Sequence, residues 1–171
     1  MKWFVNFIKT QFKNPWFFKW AFNISPMYRR SVGRILSVSK DLHIVKIKIP
    51  LNYKNRNYAG SIFGGSLFSA TDPILMIQLI QILGDDYVVW DKEATIKYKI
   101  PAREKVYAIF KLETQEITEI KELVSEQNEI DFIKKINIQN KSSKVYAEVT
   151  KVMYIAKKTH YLEKMKRRSL R

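Results

Sequence analysis

The chain has 171 residues, 46% of them hydrophobic and 13% aromatic, with no cysteine and a formal net charge of +15. That length and apolar content fit one domain with a sizeable core and exclude a disordered polar chain. The lack of cysteine excludes a disulfide framework, a thiolate nucleophile and a Cys-ligated metal.

The positive charge sits at the two ends. Residues 1–60 carry twelve Lys/Arg against one acid, Asp41, while residues 61–156 carry twelve against fourteen. The last fifteen residues carry seven against one, Glu163. A field of this sign attracts anions: phosphorylated ligands, acidic carrier proteins, acidic lipid headgroups or nucleic acid. The basic residues do not stud an aromatic sheet face, so nucleic acid is not expected as a partner. The apolar stretch from Pro73 to Leu83 holds Gln78 and Gln81 and is shorter than the roughly 20 residues of a membrane span. Lys9, Lys13 and Lys19 interrupt the N-terminal apolar runs, and no small-residue cleavage site follows. No transmembrane span or signal peptide is expected, and a cytoplasmic location is the default.

Residues 3–22 are dense in Trp and Phe, with Phe4, Ile8 and Phe12 at helical spacing and Lys2, Lys9 and Lys13 on another face. Asn14-Pro15 reads as an N-cap followed by proline at the first position of a second short helix. Residues 1–28 are thus expected to form an amphipathic helical arm. It packs over the domain or a partner subunit, or lies in a membrane interface through residues 1–25.

From Ser31 the apolar period becomes two, and it is clear through His43, Val45, Ile47 and Ile49. Two strands joined by a tight turn at Asp41 are expected, with His43 inside the second. Residues 64–83 are apolar on nearly every face, the mark of a buried helix, closed at Gly84-Asp85. Pro73 falls inside it and predicts a kink immediately after Asp72. Further strands are expected over Tyr87–Ile100 and Lys105–Thr114. Glu116–Glu129 is an acidic helix or loop, and Ile130–Gln139 with Lys144–Ile155 make a last hairpin. The basic tail from 157 to 171 carries His160 and is helical or frayed. Two strands, a buried helix and then more strands is an α+β order, with residues 29–156 as the domain and a curved antiparallel sheet around the helix.

No nucleophile elbow, phosphate loop, dinucleotide fingerprint or metal-binding helix pair occurs, so no cofactor or metal is expected. What remains is the start of the apolar helix, Asn57 through Pro73. Adjacent Gly64 and Gly65 let a ligand approach the backbone, and helix-start N–H groups can stabilise an oxyanion. Equally, two glycines can serve only tight helix–sheet packing. Asp72, two turns on in apolar company, is costly unless paired or at a cleft, or else caps the segment starting at Pro73.

Asn57…Gly60…Gly64-Gly65…Phe68…Asp72 resembles the helix-start motif of the PaaI-like hotdog thioesterases. That motif reads Asn-x-x-Gly-x-x-His-Gly-Gly with an Asp seven residues later. The segment Ala94 to Pro101, followed by Val106 and Ala108, resembles their strand–proline–strand element. Asp72-Pro73 and Val89-Trp90-Asp91-Lys92 look closer still to one bacterial branch of that superfamily. The resemblance covers about residues 30–156. It implies a hotdog fold and hydrolysis of a thioester carried by coenzyme A or an acyl-carrier protein, in a homodimer or dimer of dimers. It also implies Gly65 as oxyanion donor, Asp72 as the acid across a dimer interface, and Asn57 as a polar helper. Gly64, Phe63, Ser66 and Phe68 are the accompanying substrate-binding candidates. Phe63 stands where the family has histidine, which keeps a non-catalytic fatty-acyl or lipid binder as the alternative.

Overall fold

In the computed structural model, which describes residues 11–170, six strands form one antiparallel sheet and a 20-residue helix lies against it. The expected repeat of Phe4 and Ile8 lies outside the described residues. The strands are β1 (Arg34–Val38), β2 (Ile44–Ile49), β3 (Tyr87–Tyr98), β4 (Val106–Lys111), β5 (Glu129–Gln139) and β6 (Val145–Lys157). Their spatial order is β1-β2-β4-β5-β6-β3. The edges are therefore β1 and the long β3.

Period-two alternation aims one side of every inner strand at the core. Val45, Ile47 and Ile49 face Phe110, Ala108 and Val106 across the β2–β4 ladder, and all six are buried. The inner parity of β6 is Ala147, Val149, Lys151, Met153 and Ile155. Four are apolar and one is a lysine.

Helix α1 (Pro15–Ile24) begins as expected: Asn14 Oδ1 accepts hydrogen bonds from the backbone N–H groups of Trp16 and Phe17. Helix α2 (Pro26–Arg30) follows after Ser25. Phe18, Phe22 and Tyr28 are buried in the same core as the sheet. The Tyr28 hydroxyl donates to the carbonyl of Ala70 at 3.2 Å.

Helix α3 (Gly64–Leu83) is the long apolar one. Its sheet-facing residues include Leu67, Ile74, Leu75, Leu79 and Leu83, all buried. At about 1.5–3 kcal/mol each, these five side chains contribute roughly 10 kcal/mol, as an upper bound. That outweighs the roughly 3 kcal/mol cost of an internal proline, and the helix runs unbroken through Pro73. By length and composition α3 could cross a membrane, but half of it is buried inside the protein. Phe68, Asp72, Met76, Ile77 and Ile80 lie on an outer face that the chain itself leaves partly open.

The acidic segment is a true helix, α4 (Thr114–Gln127), started by a reciprocal capping box between Glu113 and Glu116. It connects β4 to β5, which pair only at Tyr107–Gln139 and Ala108–Ile138. The tail forms α5 (Lys158–Ser169). His43 precedes β2 instead of lying within it. Its main chain is held there by Asp41, and its carbonyl accepts from Leu112 N–H.

Candidate active site

The loop before α3 is tied together by short-range hydrogen bonds, and these fix the direction in which the helix starts. Asn57 Nδ2 donates to Ser61 Oγ at 3.0 Å, and Ser61 N–H donates to Asn57 Oδ1 at 3.0 Å. Phe63 N–H donates to the Asn55 carbonyl at 2.7 Å, and Ile62 N–H to that of Ala102 at 2.8 Å. The Phe63 carbonyl accepts from Ser66 and Leu67. Among the described residues the N–H groups of Gly64 and Gly65 have no such partner. Two donors at the positive end of a helix dipole are thus left for an incoming oxygen.

Both glycines are also crowded. A Cβ on Gly64 would fall 2.8 Å from the Tyr98 hydroxyl, and one on Gly65 would fall 2.3 Å from Phe63 Cε1. Phe63 is 59% exposed, with its ring lying over Gly65. The packing role of the double glycine and the availability of its amides therefore coexist.

Asp72 follows Gly65 by seven residues, on the same face of α3. Its Oδ1 lies 2.8 Å from Lys151 Nζ, which also donates to the Asp72 backbone carbonyl at 3.1 Å. The Lys151 ammonium is 2.7 Å from Asp91 Oδ1 as well. Lys151 is fully buried, whereas the Asp72 side chain is 49% exposed. Oδ2 of Asp72 has no protein partner among the described residues. Burial pushes the Asp91 carboxyl up from its ordinary range; the adjacent Lys151 ammonium opposes this, and the charge of Asp72 adds to it. A β-bulge between Asp91 and Glu93 shifts the β3–β6 register beside this cluster.

The structure thus brings Asp72 together with two residues absent from the sequence-based candidates, Lys151 and Asp91. Lys151 was detectable: it occupies the inward parity of β6 between Val149 and Met153. A lysine in such a place implies a buried anion. Of the other candidates, Phe63, Gly64, Gly65 and Phe68 share the open side of the helix start. Ser66 is buried toward the sheet, and the amide of Asn57 is engaged with Ser61.

Seven residues at 1.5 Å rise separate Gly65 from Asp72 by about 10 Å along the helix axis. Gly65 and Asp72 thus stand two turns apart on one side of α3. A cleft of about 650 Å³ on the molecule is lined by Trp90, Asp91, Tyr154 and Lys164, not by Gly65 or Asp72.

The sequence matches a family defined as a domain of unknown function, DUF4442, over residues 14–155. The chain belongs to the DUF4442 family. No curated protein matches the sequence. Among solved structures, this DUF4442 chain is similar to a Pseudomonas aeruginosa protein described as a probable thioesterase. The TM-score is 0.71 at 18% identity, covering 81% of this chain and 93% of that one. It is also similar to a Haemophilus influenzae thioesterase, with TM-score 0.59, 13% identity and coverage of 82% and 88%. The Escherichia coli PaaI protein of the phenylacetic acid degradation operon matches with TM-score 0.52, 13% identity and coverage of 80% and 86%. The DUF4442 chain has the α+β hotdog fold of these PaaI-like structures.

Proposed function

We propose that the chain hydrolyses acyl thioesters carried by coenzyme A or an acyl-carrier protein, at sites shared between two copies. The observation that carries this reading is the half-exposed carboxylate of Asp72, one oxygen of which is fixed by fully buried Lys151. In the reaction, Asp72 Oδ2 accepts a proton from water as the water oxygen bonds the thioester carbon. The Gly64 and Gly65 amides receive the carbonyl oxygen as its charge develops. The tetrahedral intermediate collapses, the carbon–sulfur bond breaks, and the leaving thiolate takes the proton held by Asp72, which returns the carboxylate. Fold similarity to proteins called thioesterases supports the same reaction class.

The separation of about 10 Å between Gly65 and Asp72 favours pairing the glycines of one subunit with the Asp72 of another. The twelve-residue edge strand β3 presents unpaired backbone groups, which suit strand-to-strand association. Phe63 and Phe68 offer apolar surface to the acyl chain. Asn57 acts indirectly, holding the loop that aims the helix. A dimer or dimer of dimers in the cytoplasm, touching the inner membrane face through its arm, completes the reading.

The test is thiol release from a panel of acyl-CoA and acyl-carrier thioesters by wild type and Asp72→Ala. Equal rates, or none, would sink the proposal. A second reading, a non-catalytic acyl binder, is favoured by the Phe63 ring over Gly65. Bound acyl species in native mass spectra without turnover would select it.

A further inference from the structure

Residues from the arm, β1, β2 and the following loop converge on a cleft of about 540 Å³. Arg29, Arg30, Arg34, Lys48 and Lys54 line it, with no acidic residue among its lining. Among the described residues none of the five is paired with a carboxylate. Five like charges around one concavity repel each other and are stabilised by a bound anion. Arg29 and Arg30 also sit in the last turn of α2, where cations suit the helix dipole. That accounts for two of the five and not for Arg34, Lys48 or Lys54. Val32 holds a left-handed backbone, φ +66°, at the turn between α2 and β1. A β-branched residue resists that conformation, and the turn is what brings Arg29 and Arg30 beside Arg34.

An exposed apolar stripe adjoins the cleft. Trp16, Trp20 and Ile24 repeat at four-residue spacing on α1, and Met27 follows on α2; all four are exposed, Trp16 by 69%. The two indoles stack on each other in solvent, with centroids 6.1 Å apart and planes 9° from parallel. Pro26, between Ile24 and Met27, lines the cleft itself. The opposite side of α1, Phe18 and Phe22, is locked in the core, so the stripe is presented on a fixed support. Exposed tryptophan beside a cationic cleft matches a bilayer interface, where indoles lie at headgroup level and anionic headgroups meet Lys and Arg.

We propose that Arg29, Arg30, Arg34, Lys48 and Lys54 form a receptor for the phosphate of anionic lipid headgroups, with Trp16, Trp20, Ile24 and Met27 inserted beside it. This deepens the membrane contact in the functional reading above and does not depend on the thioesterase chemistry.

The experiment is co-sedimentation of the full chain with vesicles of phosphatidylcholine alone and of phosphatidylcholine with phosphatidylglycerol. Wild type is expected to pellet at least tenfold more with the anionic vesicles. That binding should fall as salt rises from about 0.1 M to about 1 M and the Debye length shrinks from ~10 to ~3 Å. Arg29→Ala/Arg30→Ala and Trp16→Ser/Trp20→Ser should each lose most of it while retaining the wild-type circular dichroism spectrum. Wild type left in the supernatant with anionic vesicles, or both variants binding like wild type, would overturn the proposal. So would coenzyme A binding that needs Arg29 and Arg30 in a chain that ignores vesicles; the cleft would then serve a soluble carrier's phosphates. Hydrolysis of a soluble thioester, assayed in parallel without lipid, reports separately on the Asp72 site.

Discussion

The ammonium of Lys151 lies 2.8 Å from Oδ1 of Asp72, at the one inward position of β6 that is not apolar. Removing this buried cation leaves the partly buried Asp91 carboxylate beside that of Asp72 with no countercharge. Lys151→Met should therefore destabilise the protein by about 3 kcal/mol at neutral pH, read from chemical denaturation. The gap to wild type should narrow in acid, as Asp91, whose carboxyl burial already pushes up, takes up a proton and ceases to repel its neighbour. The combined Lys151→Met/Asp72→Asn/Asp91→Asn variant should recover most of the stability and show no hydrolysis.

Gly65→Ala separates packing from chemistry. The new methyl would meet Phe63 Cε1 at 2.3 Å, but Phe63 is exposed and its ring can swing aside. Helix propensity gains about 0.5–1 kcal/mol from the same change. Stability should thus move by less than about 1 kcal/mol, while hydrolysis falls at least about 10-fold if a carbonyl must approach that amide. A large drop in melting temperature that Phe63→Ala reverses would mean that the glycine serves packing alone.

A shared site makes a prediction no single-chain site can. Asp72→Asn and Gly65→Ala each inactivate different halves of it. Unfolded together and refolded, they should regain roughly a quarter of wild-type activity, since half the dimers are mixed and each mixed dimer keeps one intact site. No recovery from a verified mixed dimer would place both groups in one subunit.

Glu129 anchors the tail helix to the sheet. Hydrogen bonds from Lys164 and Tyr154 hold its carboxyl down at about 2, and the charges of Lys164 and His160 help. A carboxyl lowered on folding contributes stability that is complete above its unfolded value near 4.5 and lost as pH falls toward 2. Because the pair is partly exposed, the effect is about 1 kcal/mol. Glu129→Gln should cost this much at pH 7 and nothing near pH 2. Amide exchange should rise in residues 158–169.

Much of the fold was legible because its signals are local. Asn14-Pro15 caps and opens α1, the alternation of Val45, Ile47 and Ile49 gives β2, and Gly84 closes α3. The helix at Thr114–Gln127 stayed ambiguous because its apolar face, Ile117, Ile120 and Val124, is thin beneath many acids. Composition marks α3 as a core helix, but hydrophobicity on all sides does not say whether the same chain covers every side. At the site, Asp72 stood out as an acid in apolar company. Its partner Lys151 lies 79 residues away, and only the pairing of β6 with the helix face joins them. Lys151 broke the strand's inward parity, so its signal was present though its counterion was not.

The Tyr28 hydroxyl reaches the carbonyl of Ala70, two residues before Asp72, and a Cβ on Gly33 would press 2.9 Å from that of Ala70. Residues 15–30 therefore cannot be trimmed as a dispensable leader. Cutting them away would strip one wall from the core and slacken the helix at the turn that carries its carboxylate. A shortened chain would report on damage to the domain, and the arm's own contribution must be read from point substitutions on its outer side.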